Sequence, residues 1–301
     1  MTIHPLAGVY AAAVTPLQAD LTPALEDIPP LLDFLAKRGC HGALLLGTTG
    51  EGPSFSPTER ESILKAAVHV RETHPEFRLF AGTGTPSLDE TIQLNKTAFD
   101  LGFNGVVVLP PYYFRDASEE GLFTWFSDVI QASVPGDGHL LGYHFPRVSG
   151  VPLPLTLLTR LRDSYPDQFA GLKDSSGDRY HAITLAQELS DRLILVGNDK
   201  LLSQSLLAGA SGCITALANL ASPPLRKIWD GHQKGKKEER IQEQVDQARN
   251  LLDGYLPFPA SIKGLFAQLH EFPLWPVKPP LVSFAHEAMT QAAEGMKAIL
   301  N

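Results

Sequence analysis

Eight short apolar runs punctuate this sequence, and an amphipathic stretch follows each one. The runs are GVYAAAVT (8–15), HGALLLG (41–47), FRLFAG (77–82), NGVVVLP (104–110), HLLGYHF (139–145), FAGLKD (169–174), RLILVGN (192–198) and SGCITAL (211–217). They recur at intervals of roughly 20–35 residues. Each run is apolar throughout rather than alternating, which describes a strand buried on both faces and hence a parallel sheet. Eight such strand–helix units predict a closed (β/α)8 TIM barrel. A doubly wound open sheet is the competing architecture. It usually carries a G-x-G-x-x-G turn after its first strand, and here GTGTPS (82–87) supplies only the first half of that pattern.

The barrel is expected over 1–221 and a C-terminal helical extension over 222–301, packed on the barrel or on a neighbouring subunit. The extension has three helical stretches, EERIQEQVDQARNLLDGY, PFPASIKGLFAQL and LVSFAHEAMTQAAEGMKAIL. Gly254 is the expected stop of the first, and PVKPP reads as a rigid turn before the last.

Composition removes several function classes. With 25 Lys+Arg against 33 Asp+Glu, the net charge is −8, and no basic patch stands out. Nucleic acid is therefore not an expected partner. The lysines of GHQKGKKEER are offset by its own acids and read as a solvated face. No apolar run approaches the roughly 20 residues of a membrane span. LAGVYAAAVTPL lacks the positive flank of a signal segment and reads as the first core strand. Cys40 and Cys213 both lie in apolar stretches and read as buried free thiols, which suits a reducing, cytoplasmic setting.

Barrel chemistry sits at the C-terminal strand ends. There the sequence offers GTTGEG (47–52), PPYYF (110–114), YHFPRVSG (143–150), KDSSGD (173–178) and GND (197–199). Lys173 ends an apolar strand, where a lysine is costly unless it is used. An amine held in an apolar mouth is less readily protonated than in water and can attack a keto carbon to form a Schiff base. A lysine that snorkels to solvent or pairs with Asp174 is the simpler alternative. Tyr143 ends the preceding strand, within reach of Lys173 in a barrel; a packed rim tyrosine is the alternative. Thr48 and Thr49 offer hydroxyls, while Gly47 and Gly50 let backbone amides approach a carboxylate; a plain turn is the alternative. The ten histidines are dispersed and form no HExxH or His-x-His pair, so no metal site is expected. His144 shows no partner in the sequence and reads as an acceptor-side residue or a packed rim histidine.

LLLGTTGEGPSFSPTER, VVVLPPYYF, YHFP, GLKDSSGD and VGNDKLLSQSLLAGASGCITALAN, in that order, resemble the dihydrodipicolinate synthase/N-acetylneuraminate lyase family. Those are pyruvate-dependent class I aldolases on a (β/α)8 barrel with a helical extension. The resemblance implies that Lys173 forms the Schiff base, that Tyr143 passes protons and that Thr48 relays them. It implies that Thr49 binds the pyruvate carboxylate, that Gly197 and Ile214 line the pocket and that Tyr113 reaches a neighbouring subunit's site. It also implies a homotetramer built as a dimer of dimers, needing no metal or organic cofactor. The synthase branch carries an arginine for the acceptor's carboxylate where this chain has Val148; Arg147 stands one place early. The expected activity is therefore joining pyruvate to a small aldehyde or cleaving a 2-keto-3-deoxy acid. A synthase acting on aspartate semialdehyde through Arg147, a dehydratase, and a non-catalytic keto-acid-binding regulator are the alternatives.

Overall fold

The computed structural model describes residues 4–300. Eight parallel strands close into a barrel in chain order, β1 pairing with both β2 and β8. They are β1 Gly8–Ala12, β2 Gly42–Leu45, β3 Arg78–Gly82, β4 Gly105–Val108, β5 Leu140–His144, β6 Phe169–Asp174, β7 Leu193–Val196 and β8 Gly212–Thr215. Every apolar run thus became a strand; seven are buried at every residue, and β3 at all but its two end residues.

The barrel helices are α1 Ile28–Lys37, α2 Pro57–Ala67, α3 Leu88–Asp100, α4 Glu119–Ser133, the single turn α5 Pro146–Ser149, α6 Leu155–Ser164, α7 Arg179–Glu188, α8 Leu202–Leu207 and α9 Ala218–Gln233. Several start where the sequence offers a cap. Ser56 forms a capping box with Glu59, and Ser87, Ser118 and Asp178 each accept a first-turn amide. The 221/222 division falls inside α9, at Ala221, whose backbone is non-helical just ahead of Pro223 and Pro224.

The extension comprises α10 Glu239–Asp253, α11 Phe258–His270 and α12 His286–Leu300. The last begins at His286, five residues after the apolar stretch that predicts it, because the backbone is irregular from Glu271 to Ala285. Gly254 does cap α10 but keeps a right-handed conformation, so it stops the helix without the left-handed turn. That irregular segment lies on the barrel: Trp275 donates its indole N–H to Asp27 Oδ2 at 2.7 Å.

Two apolar layers result. One lies between strands and helices. The other fills the barrel, with Tyr10, Leu44, Phe80, Val107, Leu195 and Ile214 among its members. Tyr10 and Phe80 pack edge to face at 5.1 Å and plug the N-terminal end, so the interior is a core and not a channel. Cys40 and Cys213 are buried free thiols. No helix among the described residues is long and apolar enough to cross a membrane.

Candidate active site

Lys173 and Tyr143 are direct neighbours across the β5–β6 pair. Parallel strands in register place their side chains on the same face, here the barrel interior. Lys173 is 3% exposed, and its Nζ lies 4.1 Å from the centre of the Tyr143 ring. The aromatic face gives the buried amine a favourable electrostatic contact. The Tyr143 hydroxyl lies 3.2 Å from Thr48 Oγ1, on the loop after β2. Amine, phenol and threonine hydroxyl thus form a row from the barrel interior to the mouth, where Thr48 is exposed. Phe145 stacks on Tyr143 at 5.8 Å and forms the mouth's apolar wall.

The GTTGE loop is tightly built. Thr49 is buried, and a side chain at Gly50 would meet Ala13 O at 2.7 Å. Thr15 Oγ1 donates to Gly50 O at 2.7 Å, and Gly52 N donates to Gly47 O at 3.1 Å. Gly47 is buried too, with Leu44 Cδ2 3.0 Å from where its Cβ would be. Ile214 lies on the inner face of β8. Gly197 closes the β7 end, where an added Cβ would lie 1.9 Å from Ser175 Oγ. Lys173, Tyr143, Thr48, Thr49, Gly47, Gly50, Gly197 and Ile214 therefore share the C-terminal mouth or its lining.

Three further residues are not brought into contact with this row. His144 follows Tyr143 and so faces out of the barrel. Its Nδ1 accepts from Leu153 N at 3.0 Å, and its ring stacks on His181 of α7 at 4.6 Å. Burial, helped by the neighbouring His181 and opposed by the Asp174 carboxylate, pushes its pKa down to about 4. An acceptor-side role is therefore corrected to packing, because neighbouring strand positions face opposite ways. Arg147 sits exposed on the single turn α5. Tyr113 is 75% exposed beside Phe114, on the loop after β4.

Asp174, the simple partner offered to Lys173, faces the outer layer with His144. It lies 3.3 Å from His181 Nδ1 and accepts from Ser176 N and Oγ. The Asp174 hydrogen bond raises the His181 pKa against the effect of burial. His144, Asp174 and His181 bring potential ligand atoms within 4.8 Å of one another, a group the dispersed histidines of the sequence concealed. The two rings stack with only 25° between their planes. An imidazole lone pair lies in its ring plane, so stacked rings do not converge on one ion. The trio is better described as a packed cluster, in which Asp174 faces His181 and each of His144 and Asp174 is held by bonds from its own surroundings.

A further pair has no signal in the sequence. Glu51, at the end of GTTGE, is buried against Lys263 of α11, 212 residues away, with Nζ to Oε1 at 2.5 Å.

The model of the dihydrodipicolinate synthetase family matches residues 5–299. An uncharacterized DapA-like lyase of Chloroflexus aurantiacus is 34% identical over 97% of both chains. A 4-hydroxy-tetrahydrodipicolinate synthase of Corynebacterium urealyticum is 35% identical over 75% of this chain and 73% of its own. Among solved structures, a prophage protein of the dihydrodipicolinic acid synthase family from E. coli K12, in complex with pyruvate, superimposes with a TM-score of 0.91 at 25% identity, covering 98% of each chain. A sialic acid aldolase of Ruminococcus gnavus shares the fold at 20% identity, with a TM-score of 0.89 over 99% of this chain and 98% of its own.

Proposed function

The chain belongs to the dihydrodipicolinate synthetase family, a family of pyruvate-dependent class I lyases, and from that membership we propose that it joins pyruvate to a small aldehyde or cleaves a 2-keto-3-deoxy acid. The observation that carries this reading is the buried Lys173 amine against Tyr143, whose phenol meets Thr48. A structural lysine has no need of a proton-passing phenol beside it; a Schiff-base lysine does.

In this reading the Lys173 amine attacks C2 of pyruvate. Tyr143 delivers a proton to the departing oxygen, which leaves as water, and Thr48 links the phenol to the mouth. The resulting iminium draws electrons from C3, which loses a proton and becomes an enamine carbon. That carbon attacks the aldehyde, and water then hydrolyses the product from the lysine. Cleavage runs the same steps in reverse. Thr49 and the amides of the Gly47–Gly50 turn hold the pyruvate carboxylate. Locally aimed donors have to do this, since a chain of net charge −8 offers no general attraction to an anion.

On the acceptor side, Val148 is 46% exposed where the synthase pattern has its arginine, and Phe145 walls the mouth. This favours aldehydes without a carboxylate. The similarity to the Corynebacterium urealyticum synthase supports a second reading, in which Arg147 takes the carboxylate of aspartate semialdehyde. Turnover of that aldehyde by wild type, lost in Arg147→Ala, would favour the second. The exposed Tyr113–Phe114 pair supports a homo-oligomer, read as a tetramer, and the two buried thiols suit the cytoplasm.

Borohydride added with pyruvate should fix a pyruvyl adduct on Lys173 by mass spectrometry, and Lys173→Ala should take up none. A wild-type protein that gains no mass at Lys173 would exclude the reaction.

A further inference from the structure

The loop that carries Thr48 and Thr49 is bounded by two non-glycine residues in left-handed backbone, Leu46 at φ 59° and Glu51 at φ 55°. Such conformations crowd the Cβ against the backbone and persist only where their surroundings over-determine them. The barrel supplies part of that constraint. Glu51 N donates to Thr48 O at 3.2 Å, within the loop, and Thr15 anchors Gly50.

The rest comes from the C-terminal extension. Lys263 of α11 is 1% exposed, and its ammonium donates to Glu51 Oε1 at 2.5 Å and to Pro276 O at 2.7 Å. Glu51 is 2% exposed, and its other oxygen accepts from Lys278 N at 2.8 Å. The Lys278 ammonium in turn reaches Glu59 at 2.6 Å and lies over the Phe55 ring at 4.6 Å. Two directed bonds therefore hold one carboxylate at the hinge of the substrate loop, and a third fixes Lys263 itself; Lys278 and Pro276 both lie in the irregular segment after α11.

A buried ion pair is a poor way to stabilise a fold, since well-packed apolar residues of similar volume often do as well or better. Apolar contact cannot, however, fix the direction of a single strained residue. We propose that the Lys263–Glu51 pair positions the Thr48–Thr49 loop for the pyruvate carboxylate, so that the extension sets the enzyme's keto-acid affinity. Lys263 and Glu51 are positioning residues in this arrangement and touch no substrate. The inference rests on the aldolase reading above and assigns its carboxylate subsite a support outside the barrel.

The test replaces both charges at once, Glu51→Gln with Lys263→Met, which leaves no lone buried ion and keeps an acceptor for Lys278 N. Borohydride trapping on Lys173 is followed against pyruvate concentration, beside thermal unfolding. The expected result is a melting temperature at or above that of wild type, with half-saturating pyruvate raised on the order of tenfold and little change in trapping at saturation. Unchanged half-saturation in this folded variant would overturn the positioning role while leaving the aldolase reading intact. An untrapped wild type would overturn both. If the double variant does not fold, Glu51→Gln alone serves: it is isosteric, but its amide keeps only one of the two acceptors and sets an N–H donor against the other partner. Half-saturation raised about threefold supports the proposal, and an unaltered value overturns it.

Discussion

At Lys173, one step along the chain separates chemistry from packing. Lys173 faces Tyr143 inside the barrel, and Asp174 faces His181 outside it. The same parity divides Tyr143 from His144. The sequence could place reactive residues at strand ends, because an apolar run that stops in Lys or Tyr is a visible anomaly. It could not say which of two adjacent residues turns inward. That is why Lys173, Tyr143 and Thr48 could be placed at the mouth while His144 stayed open between an acceptor-side role and packing. The Glu51–Lys263 pair was hidden for a different reason: partners 212 residues apart leave no local pattern. The phenol is the atom on which the proposed proton transfer depends. Tyr143→Phe keeps the ring beneath the lysine and removes only the hydroxyl that meets Thr48. Pyruvate trapping in that variant should slow by roughly a hundredfold with the fold intact. Trapping at the wild-type rate would remove Tyr143 from the chemistry.

The parity of Lys173 is set by its whole strand. In the β5–β6 register Leu140 pairs with Phe169 but Leu141 pairs with Gly171, so Ala170 is an extra residue in β6. Ala170 faces the barrel interior, Leu172 the outer layer, and Lys173 the interior again. Strict alternation from Ala170 would have sent Leu172 inward and Lys173 out into the helix layer. The bulge is thus what aims the amine. The existence and direction of β6 were legible in FAGLKD, but the bulge was not, because a run apolar on both faces has no alternation to interrupt. Gly171 was the one hint available, since glycine inside a strand often marks a bulge or a close backbone approach. It adopts φ 147°, and an added Cβ would lie 2.1 Å from Leu193 O. Gly171→Ala should therefore cost about 3 kcal/mol or more of stability by denaturant unfolding. The surviving folded fraction should trap pyruvate poorly, because relief of the clash moves β6 relative to β7. A variant of full stability would show that the strand tolerates a side chain there and that the bulge is soft.

For the molecule as a whole, two properties make opposite predictions about acid. A net charge of −8 implies self-repulsion, which acidification relieves, so surface charge alone predicts greater stability as pH falls from 7 to 5. The buried imidazoles predict the reverse. His41 Nδ1 accepts from Val9 N at 3.0 Å and His144 Nδ1 accepts from Leu153 N at 3.0 Å, so neither nitrogen can take a proton without breaking a backbone hydrogen bond. Burial holds His41, His144 and His270 down to about 4 and also lowers His4, His139 and His232. Between pH 4 and the unfolded value near 6.5 the unfolded chain binds more protons, so this contribution is complete above that value and is lost as pH falls. His181 works the other way: raised by Asp174, its contribution is present below 6.5 and lost as pH rises. One such group stands against six. After discounting for the partial exposure of these rings, stability by urea unfolding should fall on the order of 3 kcal/mol from pH 7 to pH 5. A flat or rising profile over that range would mean that surface repulsion outweighs the neutral imidazoles, and that the hydrogen bonds at Val9 and Leu153 yield to protonation at little cost.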